Sequence, residues 1–272
     1  MHNHEKKIAV INDFCGFGRC SLTVSLPIIS ALKVQCCPLP TSIFSNHTGY
    51  DCFYSTDFTA HMKPYMDQWK NLNLKFSGIL TGYLGSPEQI ELVKDFLNQF
   101  KKKGTVVVMD PVMGDNGKLY PSYPPLLAEK MTELIPYADI LTPNLTEACF
   151  LTKTPYKIDH NEQDLTEICR KLAQMGPKKV VISGLERGEN LENFIFEDEK
   201  ITVVAEHKVG PNRAGTGDVF SSILVADTVN GMPLEDAVRH AAAFITKVLR
   251  RALELDLPKT DGLCFEEFLT QL

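Results

Sequence analysis

The chain has 272 residues, of which 44% are hydrophobic and 23% charged, and its formal net charge is -6. This length buries a substantial core, as one large α/β domain or two small ones, and the composition excludes wholesale disorder. The acidic balance gives no electrostatic reason to expect nucleic acid, and no run of about 18 uninterrupted apolar residues offers a membrane span.

In chain order, short β-branched runs alternate with segments of helical period. Strands are expected at 7–13, 34–44, 76–84, 105–113, 139–144 and 178–186. The clearest helix between them is "SPEQIELVKDFLNQFKKKG", in which Ser86 caps, Pro87 suits the first turn, Gln89 completes a capping box and Gly104 ends the segment. Val106 to Met109 are apolar at successive positions, as in strands covered on both faces, so a mainly parallel sheet with helices on either side follows. Residues 192–209 break the rhythm, and two strands about the polar "EDEK" predict a hairpin at the sheet's edge. Helical segments at 216–230 and 234–255, with Pro233 before the latter, and a short one from about 265 complete the chain. With no internal repeat and no long Pro/Gly/Ser linker, one domain spanning 1–272 is expected.

The N-terminal "MHNHEKKIAVIND" lacks the pattern of a secretory signal, which points to the cytoplasm, and His2 and His4 read as solvated terminal residues. The eight cysteines lie mostly in apolar runs without a CxxC pair and read as reduced core residues.

In open parallel sheets, ligands sit beyond the carboxyl ends of the strands. The glycine-rich and polar residues after the expected strands therefore share one rim. In "AGTGD", Gly215 and Gly217 let several N–H groups point at one spot, and the following helix adds its positive dipole end, which suits an anion. Asp218 has two readings. It either caps the helix or serves as the base that takes a proton from a hydroxyl attacking the cradled anion. In "DPVMGDNG", Asp110 and Asp115 either converge on a hard divalent cation or serve a turn. In "TPNLTEA", Asn144 and Glu147 share a helix face, where they either meet phosphate and metal-bound water or cap the helix, with Thr142 an alternative cap. "GFGRCS" places Ser21 where a dinucleotide fingerprint needs its third glycine, and no Walker A pattern occurs, so a nicotinamide enzyme and a P-loop kinase are both disfavoured.

Taken in order, "FSNHTGY" (44–50), "TGY" (81–83), "DPVMGD" (110–115), "TPNLTEA" (142–148) and "GTGD" (215–218) resemble the pyridoxal kinases of the ribokinase-like superfamily. The likeness runs from about Lys7 to Leu255. It implies a three-layer α/β/α fold and ATP-dependent phosphorylation of the 5'-hydroxymethyl group of B6 vitamers, with Mg²⁺, commonly a monovalent cation such as K⁺, and a homodimer. Position by position, it implies Asp218 as base and Gly215, Thr216 and Gly217 as the anion hole. It puts Thr48 and Tyr83 against the vitamer, with Phe44 and His47 walling its ring. Asp110 and Thr142 are implied near the monovalent cation, and Asp115 and Glu147 near magnesium. Asn144, Ser183 and Gly184 are implied at the nucleotide phosphates, and Val209, Gly210 and Pro211 beside the adenosine. Where many pyridoxal kinases carry Ser-His after the first strand, this chain has Asp13-Phe14, and "DFCGFGRCS" is closer to hydroxymethylpyrimidine kinases. Asp13 and Cys20 are accordingly expected at the substrate, where an anionic Asp13 selects a protonated or donor-bearing ring face. The alternatives are a hydroxymethylpyrimidine kinase using the same machinery and a non-catalytic protein that binds B6 vitamers.

Overall fold

The computed structural model describes residues 2–120 and 123–272. Its elements follow the expected βα alternation. They are β1 (Lys7–Cys15), α1 (Leu22–Ala31), β2 (Gln35–Phe44), β3 (Ser55–Asp57), α2 (Thr59–Asn71), β4 (Gly78–Thr81), α3 (Pro87–Phe100) and β5 (Val106–Met109). Next come β6 (Gly114–Asp115), β7 (Lys118–Leu119), α4 (Pro125–Met131), β8 (Ile140–Leu141), α5 (Leu145–Thr152) and α6 (Glu162–Gln174). The chain closes with β9 (Lys179–Arg187), β10 (Asn190–Glu197), β11 (Lys200–His207), α7 (Thr216–Asn230) and α8 (Leu234–Glu254).

A nine-stranded sheet runs in the order β11-β10-β9-β8-β5-β4-β1-β2-β3. All neighbours from β2 through β9 pair in parallel, while β3, β10 and β11 join antiparallel. The alternation of side chains along each strand feeds two cores. On β1, Ile8 and Val10 pack with α1, α7 and α8, whereas Ala9 and Ile11 face α2 to α6. Both faces being covered explains why the central strands are apolar at successive positions. The expected α/β/α layering with a parallel sheet and an edge hairpin is what the structure has.

Boundaries differ where the chain turns toward the site. The expected strands at 76–84 and 139–144 shrink to β4 and β8 because the residues after them leave the ladder. In α3, Ser86 Oγ accepts from Gln89 N at 3.3 Å, but the Gln89 amide turns to Gly85 N, Thr41 O and Thr59 Oγ1, so only half of the capping box forms. The helix stops at Phe100, and Gly104 occupies a later turn at φ 93°. Strand β3 and the small β6–β7 hairpin are additional elements, too short to show a period.

The chain passes from β1 to β2 on one side of β1 and returns through β4 on the other. The order therefore reverses between β1 and β4, the place where open sheets gather ligands.

Candidate functional site

The first turn of α7 opens on Gly215 at φ 75°, where a Cβ would come within 2.0 Å of the Arg19 carbonyl oxygen, so only glycine fits. Thr216 Oγ1 donates to Arg213 O at 2.9 Å and fixes the approach of the loop. The N–H groups of this first turn lie beyond reach of any helical carbonyl and line a cavity of about 630 Å³ together with the ends of β1, β4, β5 and β8.

Asp218 is the third residue of α7, in its first turn, and the N-cap position before it is Gly215. Its Oδ1 accepts from Asn12 Nδ2 at 3.0 Å. Asn12 is buried within β1, where the register with β2 shifts between Asn12 and Phe14, and its Oδ1 accepts in turn from Asp13 N at 3.0 Å and Tyr83 N at 2.8 Å. One amide thus fastens the first-strand loop, the β4 loop and the α7 carboxylate to each other. The partners of the Asp218 carboxylate are thus Asn12 and the Ser21 backbone, both outside its own helix.

Six further carboxylates line the cavity, Asp13, Asp110, Asp115 and Glu147 near Asp218 and Glu186 and Glu206 on the β9–β11 side. Burial pushes Asp13 up to about 7, opposed by the Ser21 hydroxyl at 2.6 Å and reinforced by the nearby Asp218. Burial and Asp218 likewise hold Asp110 up at about 7, opposed by the Ser221 hydroxyl at 2.9 Å. Glu147 lies well above the usual carboxylate range through burial first and Asp110 second. Asp218 is raised by burial, against the Ser21 backbone N–H and Asn12. Glu186 pairs with Lys208 at 2.7 Å, but among the described residues Asp13, Asp110, Asp115, Glu147 and Asp218 pair with no lysine or arginine. Buried negative charge without a fixed cation fits a mobile one.

No three His, Cys, Asp or Glu side chains converge as a ready metal cage among the described residues. The donors are hard oxygens: the Asp115 carboxylate on β6, the Asp110 and Glu147 carboxylates and the buried Thr142 hydroxyl. This set fits Mg²⁺ or a monovalent cation whose remaining ligands are phosphate oxygens and water. Glu147 is also spoken for structurally. It accepts from Met113 N at 3.0 Å and from Asn144 N at 2.9 Å, while Asn144 Oδ1 accepts from Glu147 N at 3.0 Å, a complete capping box at the start of α5. The capping alternative for this pair is therefore present at the cavity wall, with Asn144 as cap and Thr142 bonded instead to Met109 O.

At the β1 end, Phe44 and Tyr83 meet edge-on at 6.1 Å between ring centroids, and His47 and the exposed Thr48 stand beside them. Cys20 is held above the usual thiol range by its partner thiol Cys15, by burial and by the two aspartates, so it offers no activated thiolate. At the other end, Ser183 N donates to Pro143 O at 3.0 Å, while exposed Gly184 at φ 71° follows it. Gly210 turns at φ 63° between Val209 and Pro211. The structure brings every candidate catalytic, substrate, nucleotide and metal residue of the sequence analysis to this one cavity.

Two groups escape sequence reasoning. Asn12 reads as one more residue of a strand, and its signal is only that it is a polar residue ending an apolar run. On α8, Ala242, Ile245 and Leu249 read as core, yet they keep 6%, 5% and 8% exposure where Ala241 and Val248 keep 0%, because they face the cavity.

A cavity at the reversal point of a parallel three-layer sheet, with a glycine turn and a carboxylate opening the next helix, is the arrangement that the resemblance to ribokinase-like kinases implies. The chain belongs to the phosphomethylpyrimidine kinase family, which matches residues 29–261, and with the pyridoxal kinases of that superfamily. It is 32% identical to a pyridoxal kinase of Arabidopsis thaliana over 233 residues, covering 80% of this chain and 72% of the relative. It is 33% identical to a hydroxymethylpyrimidine/phosphomethylpyrimidine kinase of Haemophilus influenzae over 185 residues, 64% of this chain and 65% of the relative. A Bacteroides thetaiotaomicron protein of the phosphomethylpyrimidine kinase type superposes with TM-score 0.97 at 37% identity, over 100% of this chain and 95% of that one. The same protein crystallised with pyridoxal gives 0.94 at 36%, over 98% and 95%. Among the described residues no helix is long and apolar enough to cross a membrane.

Proposed function

We propose that this chain transfers the γ-phosphoryl group of ATP to the 5'-hydroxymethyl group of B6 vitamers, with Asp218 as general base. The observation that carries the reading is the state of Asp218. It lines the cavity, takes its hydrogen bonds from Asn12 and the Ser21 backbone outside its own helix, and lies in the first turn of α7.

In this reading the vitamer ring lies among Phe44, His47, Thr48 and Tyr83, with Asp13 and Cys20 beside it. Asp218 takes the hydroxyl proton as the oxygen attacks phosphorus, and burial makes it a stronger base than an ordinary carboxylate. The amides of Gly215, Thr216 and Gly217 hold the charge that develops on the transferred group. Asn144, Ser183 and Gly184 meet the nucleotide phosphates, and Val209, Gly210 and Pro211 flank the adenosine, against the α8 face. Asp115 and Glu147 would hold Mg²⁺, and Asp110 and Thr142 a monovalent cation; when bound, these ions neutralise phosphate charge. Asp13, able to carry charge near neutrality, favours a donor-bearing substrate and hence pyridoxamine. One domain carries the whole site, and the protein acts as a homodimer in the cytoplasm.

A second reading is a hydroxymethylpyrimidine kinase. It is supported by the matching family, by the Haemophilus influenzae relative and by Asp13-Phe14 in place of Ser-His. Incubation with Mg-ATP and a mixture of pyridoxal, pyridoxamine, pyridoxine and hydroxymethylpyrimidine, followed by mass analysis of the products and kcat/KM for each, separates the two. The expected result is phosphorylated vitamers with the higher kcat/KM. Preference for the pyrimidine would favour the second reading, and vitamer binding without any ATP-dependent product would favour a binding protein.

A further inference from the structure

The stretch that leaves α8, Pro258 to Gly262, lines no part of the cavity, yet it binds three of the loops that do. Pro258 O accepts from Arg213 Nη1 at 2.9 Å, and Lys259 O accepts from Ala214 N at 3.4 Å, which ties it to the approach of the glycine cradle. Asp261 O accepts from Arg19 Nη1 at 3.1 Å, and Arg19 Nε in turn meets Glu266 at 2.6 Å. The third loop is the substrate wall. His47 Nε2 lies 2.7 Å from Thr260 O, and Gly49 N donates to His47 Nδ1 at 3.1 Å. A carbonyl accepts and an amide donates, so the ring carries its proton on Nε2 and both nitrogens are engaged. Tyr50 then closes the loop by donating its hydroxyl to Asp261 Oδ1 at 2.9 Å.

Packing leaves these segments little freedom. A Cβ on Gly18 would lie 2.5 Å from the His47 ring and 3.2 Å from Thr260 O, and one on Gly262 would lie 2.7 Å from Gly18 O. The Tyr50 ring stacks obliquely on His47 at 4.8 Å and Phe17 at 5.7 Å. Beyond Tyr50, residues 51–57 are all exposed, and this side of the wall is tied back to the sheet by β3 on β2 and by Phe53 against Phe44 at 6.0 Å. Ser45 and Asn46 bond across the loop to Tyr54 and Cys52, whereas the 47–50 side is anchored to the rest of the chain by the bonds to Thr260 and Asp261.

We propose that Asp261, through Tyr50, is a positioning residue that holds the His47–Thr48 wall in the shape that receives the vitamer ring. Asp261 acts as a hydrogen-bond acceptor and touches neither substrate. The kinetic consequence rests on the vitamer reading given above. The positional consequence does not.

The test uses the full-length protein and four variants. Tyr50→Phe and Asp261→Ala are each expected to raise KM for pyridoxal about fivefold, the scale of one lost hydrogen bond, with kcat and KM for ATP changed less than about twofold. Asp261→Asn keeps an acceptor oxygen and is expected to behave as wild type. The double variant Tyr50→Phe/Asp261→Ala is expected to be no worse than either single one, because both remove the same bond. Hydrogen exchange supplies a readout that needs no substrate: amides of 46–50 exchange faster in Asp261→Ala while those of 216–222 keep their protection. Equal exchange in 46–50, or loss of protection throughout the chain, would overturn the proposal. An unaltered pyridoxal KM in an active enzyme would overturn it as well. Wild-type protein that phosphorylates no vitamer would instead defeat the substrate reading and leave the exchange result to decide this one.

Discussion

At the β1 end of the cavity, Asn12, Asp13, Ser21 and Asp218 are joined by side-chain hydrogen bonds of 2.6 to 3.0 Å, and rings of Phe44, His47 and Tyr83 close the wall. At the β9–β11 end the lining is of another kind: the exposed Gly184, the turn at Gly210, and the apolar flank of α8. The first end places charges and hydroxyls at fixed points, which suits recognition of a small polar heterocycle and delivery of a proton. The second offers backbone and apolar surface, which suits a flat ring whose position matters more than its functional groups. On the proposed reading, this division of labour follows the topology of the sheet. The β1 end stands at the sheet's reversal point, with four parallel strands around it, whereas the other end hangs on an antiparallel edge.

The contrast predicts separable defects. Asp218→Asn should lose roughly 10² or more in kcat with KM for both substrates little changed, because the lost group acts on the reacting proton and not on binding. Asn12→Ala should lower kcat about tenfold by freeing the base, the scale of one to two hydrogen bonds, and should leave KM for ATP unmoved. Filling the opposite end with Ala242→Leu should do the reverse, raising KM for ATP about fivefold while pyridoxal KM holds. If both KM values rose together in that variant, the two ends would not be independent.

The smallest effect concerns stability. Asp13 and Asp110 titrate at about 7 in the folded chain against an ordinary value of 3.8. Between those values the folded state binds more protons than the unfolded one, so stability falls as pH climbs from about 4 to about 7. Asp110→Asn removes one such penalty and should raise stability at pH 8 by about 1–3 kcal/mol, with little gain at pH 4, in urea titrations. Magnesium or potassium chloride should raise the melting temperature of the wild type more than that of the variant.

The sheet was readable because its strands are buried on both faces and so print as unbroken apolar runs, and the rim was readable because each run ends in glycine or acid. Short elements left no such print. Strand β3 and the β6–β7 hairpin have two or three residues each, less than one clear period. Asn12 was hidden because the polar residue that follows an apolar run inside a strand has no signature separating a bulge from a site. Ala242, Ile245 and Leu249 were hidden for the converse reason, since an apolar stripe facing a cavity has the spacing of one facing a core. The hold of Pro258–Gly262 on distant loops is made almost wholly through backbone carbonyls, which carry no sequence signature.

The claim on which the rest depends is that Asp218 takes the proton. Its most direct test is kcat against pH for wild type and Asp218→Asn, with pyridoxal and saturating Mg-ATP. The account predicts that wild-type kcat falls on the acid side with a midpoint above the ordinary carboxylate range, and that the variant is at least about a hundredfold slower with that limb gone. A variant that keeps both the rate and the acid limb would contradict it.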